Sequence, residues 1–127
     1  MGLDQYAYKV KKGSINSDVD FPINEGTDVE EICYWRKHPN LQGWMENLYK
    51  TKGGSNDDLN VDSPVRLNEQ DITRLREVVE KGKLPKSNGF FWGNESDEHY
   101  KGMDLEFCND ALKAMDEGYD VFYSAWY

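Results

Sequence analysis

Hydrophobic and polar residues alternate near both ends of the chain, and between the ends they recur with a helical period. The segment 6–10 alternates aromatic or aliphatic residues with small or charged ones, which predicts a strand. The segments 31–35 and 119–126 predict two further strands, and the second carries rings on both faces, as a central or covered strand does. Short runs at 64–67 and 89–92 also predict extended structure.

Two segments in the middle of the chain have the apolar spacing and the end signals of helices. After Pro39, which suits the first position of a helix, apolar residues recur every three or four positions up to Tyr49 and include Trp44. A second helix is predicted from Asn68 to Gly82, because Asn caps the start of helices and Gly commonly ends them. Each helix should bury one face.

A third helix is predicted to end at Gly118, and it mixes apolar with acidic residues. We expect its buried stripe to consist of Tyr100, Met103, Phe107, Ala111 and Ala114. The acids on the same helix should then point outward, namely Asp104, Glu106, Asp110 and Glu117.

The predicted elements follow one another roughly as β, β, α, β, α, β, α, β. This order predicts an α+β fold, with a small mixed, mainly antiparallel sheet and about three helices covering one of its faces. A chain of 127 residues is long enough to bury a core without disulfides or metals, so we expect residues 1–127 to form a single globular domain.

Acidic residues outnumber basic ones by 24 to 15, which gives the chain a formal net charge of −9. A surface this acidic repels the phosphates of nucleic acids, so we expect no direct nucleic-acid binding. The same surface would attract a basic protein, although net charge also simply keeps small proteins dispersed.

The remaining composition argues for a cytoplasmic protein. Two cysteines, Cys33 and Cys108, are too few for a disulfide scaffold, and we expect both to behave as small buried hydrophobes. No apolar run approaches the ~20 residues that cross a bilayer, so we expect no membrane association. The chain also lacks the pattern of a secretory signal.

Motifs that carry known chemistry are absent from the sequence. We find no phosphate loop, cysteine pair, zinc-binding helix or nucleophile elbow, so we expect no catalytic residue, no cofactor and no metal. His38 precedes Pro39 at a predicted helix start, and we expect it on the surface or at the cap. Part of a calcium-loop spacing runs from Asp58 to Glu69, but Ser63 stands where that loop requires Gly, so we expect no calcium binding.

Charges lie beside aromatic residues in three stretches of the chain, at 1–6, 31–37 and 89–98. Rings are costly to leave in water, and charges are costly to bury without a partner. The three stretches should therefore form one shared aromatic and polar cluster.

Within this cluster we expect Asp4, Tyr34, Arg36 and Trp126 to converge, with Arg36 held in a buried charge pair. The charged and aromatic residues of the three stretches, together with the Trp of the first helix and the Trp of the last strand, supply the candidate binding residues. These are Asp4, Tyr34, Trp35, Arg36, Trp44, Asn94, Asp97, Glu98 and Trp126.

The same stretches carry a resemblance to a family of small proteins of unknown function from bacteriophages and prophages. The shared segments are Met-Gly-Leu-Asp-Gln-Tyr at the start, Glu31 to Lys37, Gly-Phe-Phe-Trp-Gly at 89–93 followed by Asp97-Glu98, and the aromatic strand 119–126. Cys33 and the run at 38–40 depart from the residues that the family usually has there. The resemblance implies a phage or prophage source, hence a host-cell cytoplasm, and it implies no mechanism.

Together these observations favour a non-catalytic binder of a host protein. Two alternatives remain open: an acidic DNA mimic that blocks a nucleic-acid-binding protein, and a small enzyme or ligand binder that uses the aromatic residues around Arg36. Salt separates the first two, because binding by a mimic should collapse as ionic strength rises, whereas binding through rings should respond little. The sequence does not indicate an oligomeric state.

Overall fold

The fold is built from four strands and three helices within the described part of the chain. The computed structural model describes residues 3–13, 17–19, 29–54, 64–84 and 97–126, with the backbone alone described at 97–99. The strands are β1 (Asp4–Lys11), β2 (Val29–Arg36), β3 (Val65–Leu67) and β4 (Tyr119–Trp126). The helices are α1 (Pro39–Thr51), α2 (Glu69–Glu80) and α3 (Asp97–Asp116). The predicted α+β class is confirmed, while the predicted segment 89–92 lies outside the described residues.

The four strands form one sheet in the order β2-β1-β4-β3, and every pairing among them is antiparallel. The two chain ends therefore lie side by side at the centre of the sheet, with β1 paired to β4 along its whole length. The register slips between Ala7 and Tyr8, where β2 has one extra residue. Because side chains alternate along a strand, this register decides which residues share each face.

One face of the sheet, here called the inner face, packs against all three helices. It carries Ala7, Trp35, Val65, Val121 and Tyr123, which belong to a single core cluster with the helices' buried residues. Helix α1 contributes its predicted apolar face to this cluster, with Trp44 only partly buried against it. Burial of this shared face is what holds the helices on the sheet.

Helix α2 begins with the local signals that the sequence shows. The Asn68 side chain accepts a hydrogen bond from the Asp71 backbone N–H at 2.8 Å, and the Asp71 carboxylate accepts one from the Asn68 backbone N–H at 2.9 Å. Leu67 and Ile72, on either side of this cap, are both buried. The capping box and the hydrophobic contact together fix the entry of the helix.

Helix α3 corrects two of the expectations drawn from the sequence. Met103 is 36% exposed, so the prediction that it is buried was wrong. Asp104 is fully buried, so the prediction that it points outward was also wrong. The other three acids are exposed as expected, namely Glu106, Asp110 and Glu117. The buried line of the helix therefore runs through Asp104, Phe107, Cys108 and Ala111.

Among the described residues, no helix is long and apolar enough to cross a membrane. Of the calcium-loop spacing, positions 58–63 lie outside the described residues, and Glu69 is an exposed residue at the start of α2.

The close approach of Gly54 to Tyr49 after α1 yields a stability prediction. A Cβ at residue 54 would lie 2.2 Å from Tyr49 Cε2 and Cζ, and the ring is fully buried and has little room to move. Gly54→Ala should therefore lower the free energy of unfolding by about 1–3 kcal/mol, the usual cost of overpacking. Denaturant unfolding measures this change.

Gly102, in the interior of α3, provides the matched control. A Cβ there meets nothing within 4 Å, and the position is exposed. Gly102→Ala should stabilise the protein by about 0.5–1 kcal/mol, because Gly costs a helix interior that much relative to Ala. Equal effects of the two substitutions would contradict the packing described at Gly54.

Candidate functional site

Polar side chains that are withdrawn from water lie together beneath the inner face, at the end of the sheet where β1 begins and β2 ends. They come from both central strands, from β2 and from two helices. We call them the buried polar network, and its members are Gln5, Trp35, His38, Gln42, Asp104 and Tyr123. Burial of this many polar groups is costly unless each is hydrogen-bonded, so their partners decide what the network does.

The carboxylate of Asp104 is the centre of the network. Its Oδ2 lies 2.7 Å from His38 Nε2, and its Oδ1 accepts a hydrogen bond from Trp35 Nε1 at 2.8 Å. The His38 and Asp104 side chains are 0% and 1% exposed. A carboxylate in such a place is stable only with donors on its oxygens, and here an imidazole and an indole supply them. One helix, one strand and one helix start are thereby tied together.

The backbone before α1 places His38 inside the molecule. Lys37 adopts a left-handed conformation with φ 56°, and its N–H donates to the Leu3 carbonyl at 2.8 Å. The side chain of Gln5 then satisfies both backbone groups of His38, since Nε2 donates to His38 O and Oε1 accepts from His38 N, each at 2.9 Å. His38 occupies the N-cap position of α1, one of its two expected places, although its side chain makes no cap hydrogen bond. The other expected place, the surface, was wrong, because this turn directs the residue into the core.

Tyr123 extends the network to the central strand β4. Its hydroxyl accepts a hydrogen bond from Gln5 Nε2 at 2.9 Å and donates one to Gln42 Oε1 at 2.5 Å. Strands β1 and β4 and helix α1 are thus joined by side chains as well as by backbone pairing. Among the described residues, no buried side-chain nitrogen or oxygen lacks a hydrogen-bond partner.

Tyr100 of α3 covers the His38 end of the network. Its ring stacks on the imidazole of His38 with centroids 4.6 Å apart, and its hydroxyl donates to the Arg36 carbonyl. At the Trp35 end, the indole of Trp35 packs edge-on against the ring of Phe107, with the ring centroids 4.9 Å apart. The His38–Asp104 pair is therefore covered by rings and withdrawn from solvent.

Two thiols lie near the same carboxylate. Burial raises the pKa of Cys33 from 9.0 to about 12, and the Asp104 charge adds to the effect. Burial and the Asp104 charge likewise raise the pKa of Cys108 to about 12. Thiolates are the reactive form, so neither cysteine is prepared to act as a nucleophile near neutral pH.

The opposite face of the sheet, here called the outer face, brings a different set of residues together. The register places Asp4 between Arg36 and Trp126, Tyr6 between Tyr34 and Ser124, and Tyr8 between Glu31 and Phe122. These nine residues form three rows across strands β2, β1 and β4. Cross-strand neighbours on one face are close enough to contact one another.

Rings form a continuous band across these rows. The centroids of Tyr34 and Tyr6 are 5.2 Å apart, those of Tyr6 and Tyr8 are 5.9 Å apart, and those of Tyr8 and Phe122 are 5.2 Å apart. The Phe122 end of the band is buried, whereas Tyr34 is 38% exposed and Trp126 is 61% exposed. We call the open end of this face the aromatic patch, which consists of Asp4, Tyr6, Tyr34, Arg36 and Trp126.

The aromatic patch contains the predicted convergence of residues from both chain ends, but not the predicted burial. Tyr34 donates a hydrogen bond to Asp4 Oδ1 at 2.6 Å, and the register sets Arg36 and Trp126 on either side of Asp4. Arg36 is exposed, and it takes part in no ion pair among the described residues. The expectation of a buried Arg36 pair was therefore wrong, because the strand register places Arg36 on the outer face, where it is exposed.

Two of the other candidate binding residues, Trp35 and Trp44, do not join the patch. Trp35 is in the core and contacts Asp104, and Trp44 packs against the core from α1. Asn94 lies outside the described residues, and of Asp97 and Glu98 only the helical backbone is described. The candidate binding residues predicted from the sequence do not include Tyr6, whose ring joins the patch. They also do not include three residues of the buried polar network, namely Gln5, Gln42 and Tyr123.

Within the described residues, no group of three or more His, Cys, Asp or Glu side chains is placed to hold a metal ion. No protein-family model, no curated protein and no solved structure matches this chain. Function has to be argued from the buried network and the aromatic patch themselves.

The first prediction for this site concerns Asp104. Asp104→Ala leaves the His38 imidazole and the Trp35 indole buried without their acceptor, so unfolding free energy should fall by about 3–5 kcal/mol. Glu106→Ala on the same helix is the matched control, because an exposed acid should change stability by only about 0.5 kcal/mol or less. Similar values for the two variants in urea unfolding would contradict the buried network.

The second prediction concerns the thiols. At pH 8 a pKa of about 12 leaves only about one Cys33 or Cys108 thiol in ten thousand ionised, so an aromatic disulfide reagent should react at least about a hundredfold more slowly with native than with unfolded protein. Because ionisation opposes burial, this protection and the associated stability are present below pH 9 and are lost as pH rises toward 12. Rapid labelling of native protein at pH 8 would contradict it.

Proposed function

We propose that this chain is a phage- or prophage-encoded protein that binds a host protein in the host cytoplasm and catalyses no reaction. The observation that carries the proposal is the aromatic patch, where Tyr34 and Trp126 are exposed on a sheet whose other face packs into the core. Exposed rings that gather in one place are typical of protein interfaces, since they bury large area at small cost in side-chain entropy.

The buried network argues against the enzyme alternative. An acid–base pair can act on a substrate only if the substrate reaches within hydrogen-bond distance of it. His38 and Asp104 are sealed by Tyr100 and Trp35, and the neighbouring thiols are protonated. The pair is better explained as a structural tie between elements.

The DNA-mimic alternative is weakened because Asp104, one of the acids expected on the surface of α3, lies inside the protein. The exposed acids that remain on α3 are interrupted by the exposed bases Lys101 and Lys113. The outer face is also a poor site for nucleic acid itself, despite its rings, because Asp4 and Glu31 stand among them and the chain carries a net charge of −9.

The proposal predicts which substitutions abolish capture of a host protein by the tagged chain. Tyr34→Ser combined with Trp126→Ser should reduce capture at least about tenfold, because exposed aromatic residues are the usual centres of binding energy. The double variant Glu106→Gln/Asp110→Asn, which neutralises exposed acids of α3, should retain capture. Raising salt well above about 0.15 M should change capture by the intact chain only slightly.

The opposite pattern of capture would favour the DNA-mimic alternative. Loss of capture on neutralising Glu106 and Asp110, together with a steep fall of capture in salt, would contradict binding through the aromatic patch. Unfolding midpoints of all variants, measured alongside, show that changes in capture come from the surface and not from stability.

A further inference from the structure

The chemistry of the aromatic patch indicates what kind of group it binds. Three rings, those of Tyr6, Tyr34 and Trp126, share the open end of the outer face with the carboxylate of Asp4. Ring faces carry negative charge density, and a nearby carboxylate strengthens their attraction for a cation. The patch therefore combines the two features that recognise positively charged side chains.

The carboxylates of this face are available for such a partner. Asp4 Oδ1 accepts the Tyr34 hydroxyl, while Asp4 Oδ2 takes no hydrogen bond from any described residue. Glu31, in the row of Tyr8, is exposed and forms no ion pair within the described part of the chain. In contrast, Arg66 at the far side of the sheet is matched by Asp18 at 2.7 Å. The unpaired negative charges of Asp4 and Glu31 thus lie on the same side as the open rings, together with the exposed positive charge of Arg36.

The pKa values of Tyr6 and Tyr34 respond in part to these carboxylate charges. The hydrogen bond to Asp4 raises the pKa of Tyr34, with a smaller contribution from the Asp4 charge. Burial raises the pKa of Tyr6, and the charges of Asp4 and Glu31 add to the rise. Burial disfavours charge of either sign, so only the contributions of Asp4 and Glu31 to these pKa shifts reflect a field that favours a positive group.

We propose that the partner places an arginine side chain on the aromatic patch, with its guanidinium against the rings of Tyr6 and Tyr34 and its N–H groups on Asp4. This inference rests on the proposed binding function and adds the chemical identity of the contact. Arginine fits better than lysine because its flat guanidinium stacks on rings while its edge donates to a carboxylate. The partner segment that carries it belongs to a protein and not to a nucleic acid, since phosphates would meet Asp4 and Glu31.

The test uses three blocked tripeptides, acetyl-Gly-X-Gly-amide, in which X is arginine, lysine or citrulline. Citrulline has nearly the shape of arginine without its charge. Resonances of Tyr6, Tyr34 and the Trp126 indole, followed by NMR during titration of the whole chain, should shift most with arginine, less with lysine and hardly at all with citrulline. Equal shifts with arginine and citrulline, equal shifts with arginine and lysine, or no shifts with arginine, would each overturn the proposal.

Variants of the patch sharpen the test. Asp4→Asn and Tyr34→Ala should each weaken binding of the arginine peptide at least about fivefold, whereas Tyr34→Phe should retain it, because the ring remains and Asp4 is released. Arg36→Gln should strengthen binding, since a like charge beside Asp4 is removed. Glu106→Gln, which removes one negative charge far from the patch, should leave binding unchanged. If Glu106→Gln weakened binding as much as Asp4→Asn, the peptide would be attracted by the net charge of the protein alone, and the proposal would be overturned.

The peptide result and the host-protein result fail separately. If the arginine peptide does not bind but Tyr34→Ser/Trp126→Ser still abolishes host-protein capture, the binding function stands and the arginine contact is wrong. If the peptide binds at the patch but the double variant retains capture, the patch recognises arginine and the host protein binds elsewhere.

Discussion

One buried carboxylate, that of Asp104, sets the arrangement of this protein. Helix α3 can approach the end of the sheet only if this charge meets donors, and His38 and Trp35 supply them from the start of α1 and the end of β2. The left-handed backbone at Lys37 and the hydrogen bonds from the Gln5 side chain to the His38 backbone keep His38 within reach of Asp104. Removing the acceptor would leave several donors in a dry core, so the elements are linked through a shared requirement for hydrogen bonds.

This constraint separates the two faces of the sheet in packing. The inner face is committed to the core and to the buried polar network, whose groups are covered by Tyr100 and Phe107. The outer face carries exposed rings, of which Trp126 and Tyr34 are the most exposed, and these are the residues that we propose meet a partner. A scaffold fixed from beneath can present such rings with little loss of entropy on binding.

Much of the fold could be predicted because its signals are local. The spacing from Leu41 to Tyr49 and the cap at Asn68 identify α1 and α2, and alternation at the chain ends identifies β1 and β4. The meeting of Asp4, Tyr34 and Trp126 also follows, since antiparallel end strands bring those positions side by side. The buried network could not be found this way, because His38 and Asp104 are 66 residues apart and neither has a local mark of its partner. The helical period did indicate burial of Asp104, which lies four residues before Cys108 and seven before Ala111, but its charge suggested an exposed position.

A double-mutant cycle on Asp104 and His38 shows whether these two residues form a mutually dependent buried tie. The free energies of unfolding of the intact chain, His38→Ala, Asp104→Ala and the double variant give the coupling between them. We expect a coupling of roughly 2 kcal/mol or more, with the double variant much less destabilised than the sum of the two single variants. A coupling below about 0.5 kcal/mol, the level found for independent sites, would contradict it.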